Sequence, residues 1–342
     1  DSGCQRHQSS SDTNSEPANT EEVIVTAQRR EERLRDVPMT VSVLSAEDLA
    51  LTGAVNTSDL QRITPGVRMQ FNGAYLAPSI RGVSSNTTAP GLSSNVAFYL
   101  DGVYQPSQIA QLMDLPDAEQ VQVLKGPQGT LYGQNATGGA FVITTMDPSF
   151  HQEGRFSASY GNYNSFPLRG YESGPITENL AQSIAVSYQS NDGFRRNTVT
   201  GARDDGLECV LVRGKLLYEP VTGTRLKLTG YYTDLRDASV LRGIPWQGQS
   251  LTASIAPELI ANASPRNFTS NDTYLDVRTY GASLTADFDL GVGTLSSVTS
   301  YSRVGGDGLR ADLDFSSLNI SDVTVAVDRR DFIQEINFTS RR

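Results

Sequence analysis

Hydrophobic and polar residues alternate with period two along most of the chain beyond Pro148. In VLVRGKLLY, Val210, Val212, Gly214, Leu216 and Tyr218 share one face. Arg213 and Lys215 share the other with Leu211 and Leu217. RLKLTGYYT places Leu226, Leu228, Gly230 and Tyr232 opposite Arg225, Lys227, Thr229 and Tyr231. RFSASYG and SIAVSYQ carry Phe156, Ala158 and Tyr160, then Ile184, Val186 and Tyr188, on their apolar faces. YGASLTADFDL does the same with Tyr280, Ala282, Leu284, Ala286 and Phe288. Period two marks strands with two unlike faces.

The connectors alternate as well. SGPITEN, EPVTGT and DLGVGT are tight turns, whereas residues 191–207, 234–272 and 304–328 are expected to be long loops; on that side only GNYNS is short. Short turns on one side and long loops on the other predict antiparallel strands of a transmembrane β-barrel. A soluble β-sandwich, whose strands also alternate, is the competing arrangement. About seven strands precede an eighth, DFIQEINFTS, and the pattern stops within a strand at Arg342. An eight-strand barrel is filled by its own side chains, and a sheet in lipid has to close. Either the preceding domain hangs outside, or residues 149–342 are the N-terminal portion of a much larger barrel; the interrupted strand favours the second.

Residues 37–148 mix helix and strand. VPMTVSVLS is a strand, and SAEDLALTG is a short helix with Ser45 as N-cap, Asp48 three residues on and Gly53 as stop. NTSDLQRITPG repeats the device. VAFYLDGVY predicts a hairpin turning on Asp101-Gly102, a type I′ dipeptide. VQVLKG and GGAFVITT are two more strands, joined by the glycine-rich GPQGTLYGQNAT. Residues 1–20 are polar and read as a disordered tail. Residues 21–36 follow as a linker holding EEVIVTA, whose Val23-Ile24-Val25 is either the first strand of a core or a strand meant for another protein.

Composition narrows the chemistry. A net charge of -10 lacks the basic footprint of a nucleic-acid binder. No run of 18 apolar residues exists, which excludes a transmembrane helix but not barrel strands. Cys4 and Cys209 are far apart and read as lone thiols. No signal peptide is visible, and the Asp-Ser-Gly before Cys4 is not the apolar end of a lipoprotein leader. His7 and His151 are the only histidines, which is poor material for a nucleophilic triad. Metal-ligand spacings are absent and no cofactor is implied. GPQGTLYGQNATGG lacks the Gly-Lys-Ser/Thr order of a phosphate loop. An enzyme is not expected.

Several segments in series resemble a TonB-dependent outer-membrane receptor: EEVIVTA resembles the TonB box, RREERLRDVPMTVSVLSAEDL the lead-in to the plug, PSIRGV and FYLDGVY plug motifs, and VLKGPQGTLYGQNATGGAFVITT the plug's closing signature. The likeness covers about residues 21–342. It implies a mixed α/β plug domain followed by antiparallel transmembrane strands, an incomplete part of a barrel that has 22 strands in the family. It also implies a TonB box at Glu22, Val23, Ile24, Val25, Thr26 and Ala27. In the family, plug arginines pair with barrel carboxylates. That role falls to Arg81, and to Lys125, which stands where the family usually has Arg and lacks the bidentate fork. Glu335, opposite Gln334, Ile336 and Phe338, is expected to face the lumen, either as a plug partner or as a solvated carboxylate.

The function implied is active import of a scarce nutrient across the bacterial outer membrane, ferric siderophore first among the cargoes. TonB of the inner-membrane energy-transducing complex would be the partner, with outer-membrane lipid around the barrel. Residues 67–76 and 84–95 are the expected apical loops, with Arg68, Phe71 and Tyr75 as substrate contacts and Trp246 from the longest loop as another. A non-transporting adhesive barrel with an N-terminal cap is the rival reading.

Overall fold

The computed structural model describes residues 40–72, 74–85, 91–197, 201, 203, 206–237, 251–258, 267–268, 273–314, 316–318 and 320–341, and the backbone of 24–25 and 32–33. Upstream, β1 (Ile24–Val25) pairs antiparallel with β2 (Glu32–Arg33). The first folded unit opens with β3 (Val41–Ser45) and α1 (Ala46–Thr52). The capping pattern forms as predicted. Ser45 Oγ accepts the Asp48 N–H at 3.1 Å, the Asp48 carboxylate accepts the Ser45 N–H at 2.8 Å, and Gly53 ends the helix at φ 65°. Asn56 and Asp59 repeat the reciprocal cap ahead of a 3₁₀ turn, Thr57–Asp59, and α2 (Leu60–Ile63).

β4 (Val67–Asn72), β5 (Tyr75–Ile80) and β6 (Val83–Ser84) make a three-stranded antiparallel sheet. The apical loop expected over 67–76 is thus a hairpin: Val67 and Met69 are buried while Arg68 and Gln70 are exposed. β7 (Val96–Leu100), β8 (Val103–Tyr104), β9 (Ala118–Lys125), the helical turn α3 (Gly129–Tyr132) and β10 (Gly139–Thr145) follow. They complete a five-stranded sheet in the order β3-β9-β10-β7-β8, in which only β10 and β7 run parallel. Leu49, Leu60, Phe98 and Phe141 pack in one buried cluster of this unit, with the two rings stacked 4.7 Å apart. Tyr99, Tyr132, Ala140 and Val142 form another.

The second unit is a wall. β11 (Glu153–Ala158), β12 (Leu168–Thr177), β13 (Leu180–Asn191), β15 (Leu207–Tyr218), β16 (Thr224–Asp237), β18 (Tyr274–Asp289), β19 (Gly293–Asp312) and β20 (Asp322–Ser340) form one antiparallel eight-stranded sheet in chain order. β14 (Arg196–Asn197) and β17 (Asn267–Phe268) pair with each other beside it, and α4 is Leu251–Ile255. β11 and β20 each pair on one side only, so the sheet is a segment of barrel wall.

Alternation decides which way each side chain points. Val212, Leu216, Leu228, Tyr232, Tyr280, Leu284, Phe332 and Ile336 stay exposed on the outer face, while Leu211, Arg213, Lys215 and Leu217 of β15 are buried on the inner one. An apolar outer face is costly in water and favourable in lipid. Aromatic residues bound the band. Tyr232 sits across from Tyr280 and Tyr301 from Phe332 toward the long connectors; Tyr218, Phe288 and Phe338 lie toward the short turns. Tyr280 and Phe288 bracket a band about 20 Å tall, given ~3.4 Å per residue and the usual strand tilt.

The strands run further than the alternation of apolar residues suggests. The expected loop 304–328 is strand for most of its length, because β19 continues to Asp312 and β20 begins at Asp322, leaving a connector of residues 313–321. Beyond the aromatic row the outer face carries Arg303, Asp328 and Arg330, so the apolar rhythm stops while the ladder continues.

Gly139 is the tightest point of the first unit. Its φ is 141°, and a Cβ there would lie 2.2 Å from the Leu124 carbonyl oxygen and 2.8 Å from Ile80 Cδ1. Neither the strand partner nor the core can yield that space. Gly139→Ala is expected to cost about 3 kcal/mol or more. The change should show as rapid proteolysis between residues 40 and 145 with the barrel still protected.

Candidate functional site

The first unit rests on the inner face of the wall, and the contact is charged. Arg213 and Lys215 lie between Leu211 and Leu217 on β15, so the strand turns both cations inward. Arg213 pairs with Asp117, and each side chain is only 2% exposed. Lys215 Nζ lies 3.0 Å from Asp101 Oδ2 and also donates to the Thr145 carbonyl at 3.0 Å. Asp147 collects the remaining cations, with Lys227 and Arg225 each at 2.8 Å and Lys215 at 3.4 Å. Ser187 Oγ of β13 donates to the buried Asp114 carboxylate at 2.8 Å.

Asp101 shows how local chain chemistry builds this seam. Asp101 and Gly102 take φ of 48° and 81°, the left-handed pair a type I′ turn requires. The turn aims the carboxylate at the end of β10, where it accepts the Thr145 N–H at 2.8 Å and hydroxyl at 2.7 Å. Its outer lobe then meets Lys215. Burial alone would raise the Asp101 pKa; Lys215, Lys227, Arg213 and the Thr145 N–H outweigh it and hold the carboxyl well below the usual range. Asp114 goes the other way. Burial pushes it up, only partly offset by Ser187 and Gln189. Glu119 is raised by burial and then by the negative charge of Asp147.

Toward the long connectors the contact turns apolar. Ala74, Tyr75 and Ile109 pack against Cys209, Leu235, Leu275, Val277, Val304 and Leu309 of the wall. Cys209 is therefore a buried free thiol within a hydrophobic patch. No group of three or more metal-ligating residues occurs among the described residues.

The eight strands of wall present here do not test the pairing expected of Arg81 and Lys125. Among the described residues, no barrel carboxylate pairs with either. Lys125 Nζ donates to the Pro65 carbonyl at 3.0 Å, and the exposed Arg81, at φ 52°, gives its N–H to the Gly66 carbonyl at 2.8 Å. Both serve a turn of their own unit, and burial followed by the nearby Arg81 lowers the Lys125 pKa. Among the described residues, the ion pairs that cross this interface place carboxylates on the inner unit and cations on the wall. The available signal was the presence of Arg213 and Lys215 on the face of β15 that also carries Leu211 and Leu217.

Glu335 occupies the inner face of β20 and accepts from the Asn337 amide at 2.5 Å. Arg68 and Phe71 are exposed on β4, whereas Tyr75 is buried where the inner unit meets the wall. Trp246, Cys4, Glu22, Val23, Thr26 and Ala27 lie outside the described residues. Ile24 and Val25 form the short strand β1.

Comparison with known proteins agrees with this arrangement. A family model described as "TonB-dependent Receptor Plug Domain" matches residues 33–140. The pesticin receptor of Yersinia pestis is 33% identical over 188 residues, which are 54% of this chain and 28% of that protein. The vitamin B12 transporter BtuB of Vibrio vulnificus strain YJ016 is 26% identical over 246 residues, 69% of this chain and 39% of that protein. Among solved structures, the ferric yersiniabactin uptake receptor FyuA from Yersinia pestis superposes with a TM-score of 0.69 at 24% identity, covering 80% of this chain and 43% of that one. The chain thus spans well under half the length of these relatives.

The seam yields two expected outcomes. Arg213→Met leaves Asp117 buried without its cation and should cost about 3–5 kcal/mol of docking; adding Asp117→Asn should recover much of it. Protease access to residues 96–147 in the full-length protein, titrated with denaturant, measures both. Asp101 has a depressed folded-state pKa, so its contribution is present above the ordinary value of 3.8 and is lost only as pH falls through the lower folded value. The stability gap between wild type and Asp101→Asn should hold constant from about pH 7 to 5 and close only in stronger acid. A gap that closes near pH 6 contradicts this assignment.

Proposed function

Because the chain belongs to the TonB-dependent receptors, a family of the outer membrane, we propose that the full-length protein actively imports a scarce nutrient, its plug gating the barrel. One observation carries the reading. A folded unit is docked on the inner face of a lipid-facing wall through buried ion pairs, an arrangement suited to closing a pore and to reopening it. A merely adhesive barrel has no use for a detachable plug.

In this reading substrate arrives from the side of the long connectors and meets the plug there. The N-terminal segment Glu22–Ala27 adds a strand to TonB, main-chain bonds supplying affinity. The pairing of Ile24 with Arg33 and Val25 with Glu32 supports an extended backbone at this segment. Pulling on it transmits force to β3, an edge strand of the plug sheet. Ferric siderophore is the first cargo to test, in keeping with the ferric yersiniabactin uptake receptor among the similar structures. Arg81, Lys125 and Glu335 belong in this reading as residues that lock plug to barrel, and Arg68, Phe71, Tyr75 and Trp246 as candidate substrate contacts.

Deleting Glu22–Ala27 from the full-length protein is expected to abolish uptake while substrate binding to whole cells persists. Uptake that survives the deletion and is also indifferent to loss of TonB supports the adhesive reading instead.

A further inference from the structure

Past the aromatic row at the long-connector end, the outer face of the wall changes chemistry on four neighbouring strands, β16, β18, β19 and β20. Arg278 lies one outward position beyond Tyr280, and Arg236 two beyond Tyr232. Arg303 and Arg330 lie one beyond Tyr301 and Phe332. At ~3.4 Å per residue and the usual strand tilt, these arginines stand roughly 5–10 Å past the rings, the depth of a lipid headgroup layer. The opposite end of the same face has no counterpart. Around Phe288 and Phe338 it carries Thr224 and Ser340, and no arginine among the described strand residues.

The guanidiniums of this belt are held in place without being saturated. Arg303 and Arg330 stand directly opposite each other, a cross-strand placement that like charges disfavour. Asp328 serves both, at 2.7 Å from Arg303 and 3.2 Å from Arg330. Arg236 and Arg278 are diagonal neighbours, since Arg236 pairs across from Asp276 and Asp234 from Arg278. Their side chains are 53% and 48% exposed, and their carboxylate contacts are long, 3.5–4.0 Å. A guanidinium has five N–H donors, so several on each remain for an acceptor that arrives from outside. Asp234 and Asp276 are largely covered beneath them, which leaves donors outermost.

We propose that this belt binds the phosphorylated sugar headgroup of a glycolipid in the outer leaflet. The paired arginines grip phosphate, for which their planar forks are suited. Glu208 and Asp328, each about half exposed, meet the divalent cations that accompany such phosphates. Two features select this occupant. The belt continues a face already covered by lipid, so a soluble anion or a protein has to displace lipid to reach it. It is also confined to the long-connector end, which fits a lipid confined to one leaflet; arginines at both ends would suit an anionic phospholipid. The assignment rests on the membrane face and not on transport, so it stands or falls apart from the import reading.

Purified full-length receptor in neutral detergent, titrated with a bisphosphorylated diglucosamine lipid in the presence of Mg²⁺ and read by native mass spectrometry, tests it. Wild type should hold this lipid at least about tenfold more tightly than the same lipid stripped of its phosphates. Arg303→Gln with Arg330→Gln should remove most of that margin, and Arg236→Gln with Arg278→Gln should reduce it. Both variants should keep the heat-resistant electrophoretic mobility of a folded barrel. Equal retention of the two lipids by wild type, a comparison that needs no variant, overturns the proposal. So does a margin that survives both double substitutions. Phosphatidylglycerol held as tightly as the glycolipid overturns it as well, by revealing an indifferent anionic-lipid surface. Displacement of the glycolipid by inorganic phosphate does the same, by revealing a site for the free ion.

Discussion

Everything in this structure depends on β15 serving two solvents at once. Its outer residues, Val212 and Leu216, face lipid, while Arg213 and Lys215 one position away reach the plug. Lipid tolerates no unpaired charge and the barrel interior is crowded by protein, so each cation needs a carboxylate fixed in advance. The plug supplies them from rigid positions. Asp101 sits in a two-residue turn bonded to Thr145, Asp117 immediately precedes β9, and Asp147 follows β10. The five-stranded sheet is, in this sense, a frame that holds three carboxylates at the spacing of the wall's cations.

Much of the fold can be read along the chain because its signals are local. The reciprocal cap of Ser45 and Asp48 needs only four consecutive residues, and the turn at Asp101-Gly102 only two. The two faces of β15 and β16 follow from period two, since lipid demands apolar residues on one side and the plug permits mixed ones on the other. Where lipid ends, that demand ends too. The upper parts of β19 and β20 carry charge outward and look like loop, although the ladder persists to Asp312 and from Asp322. At 67–72 the alternation of Val67 and Met69 with Arg68 and Gln70 was present in the letters, but it was short enough to pass for a polar loop.

The seam was less legible because its information is distributed. Asp101 can be recognised as a turn residue, yet its carboxylate takes on a second role only when Lys215, 114 positions later, comes into reach. Family likeness also pointed the other way, assigning cations to the plug. In this part of the wall the Lys125 ammonium donates to the Pro65 carbonyl, and the ion pairs seen among the described residues take their cations from the wall. A motif carries a role from one protein to another only as far as its partners come with it.

The division of the interface into an ionic half and an apolar half bears on how a plug can be both secure and removable. Burying two charges costs nearly what their attraction returns, so a seam of ion pairs is strong in specificity and modest in net stability. If water enters as the plug shifts, each cation and carboxylate regains hydration, and separation proceeds without a large penalty. An apolar contact behaves differently, since exposing its surface costs about 25 cal/mol for every Å². The patch around Tyr75, Ile109, Leu235 and Val277 is of this second kind and lies toward the long connectors. The apolar half therefore holds the plug where water loosens it least, while the ionic half is the part that water can release.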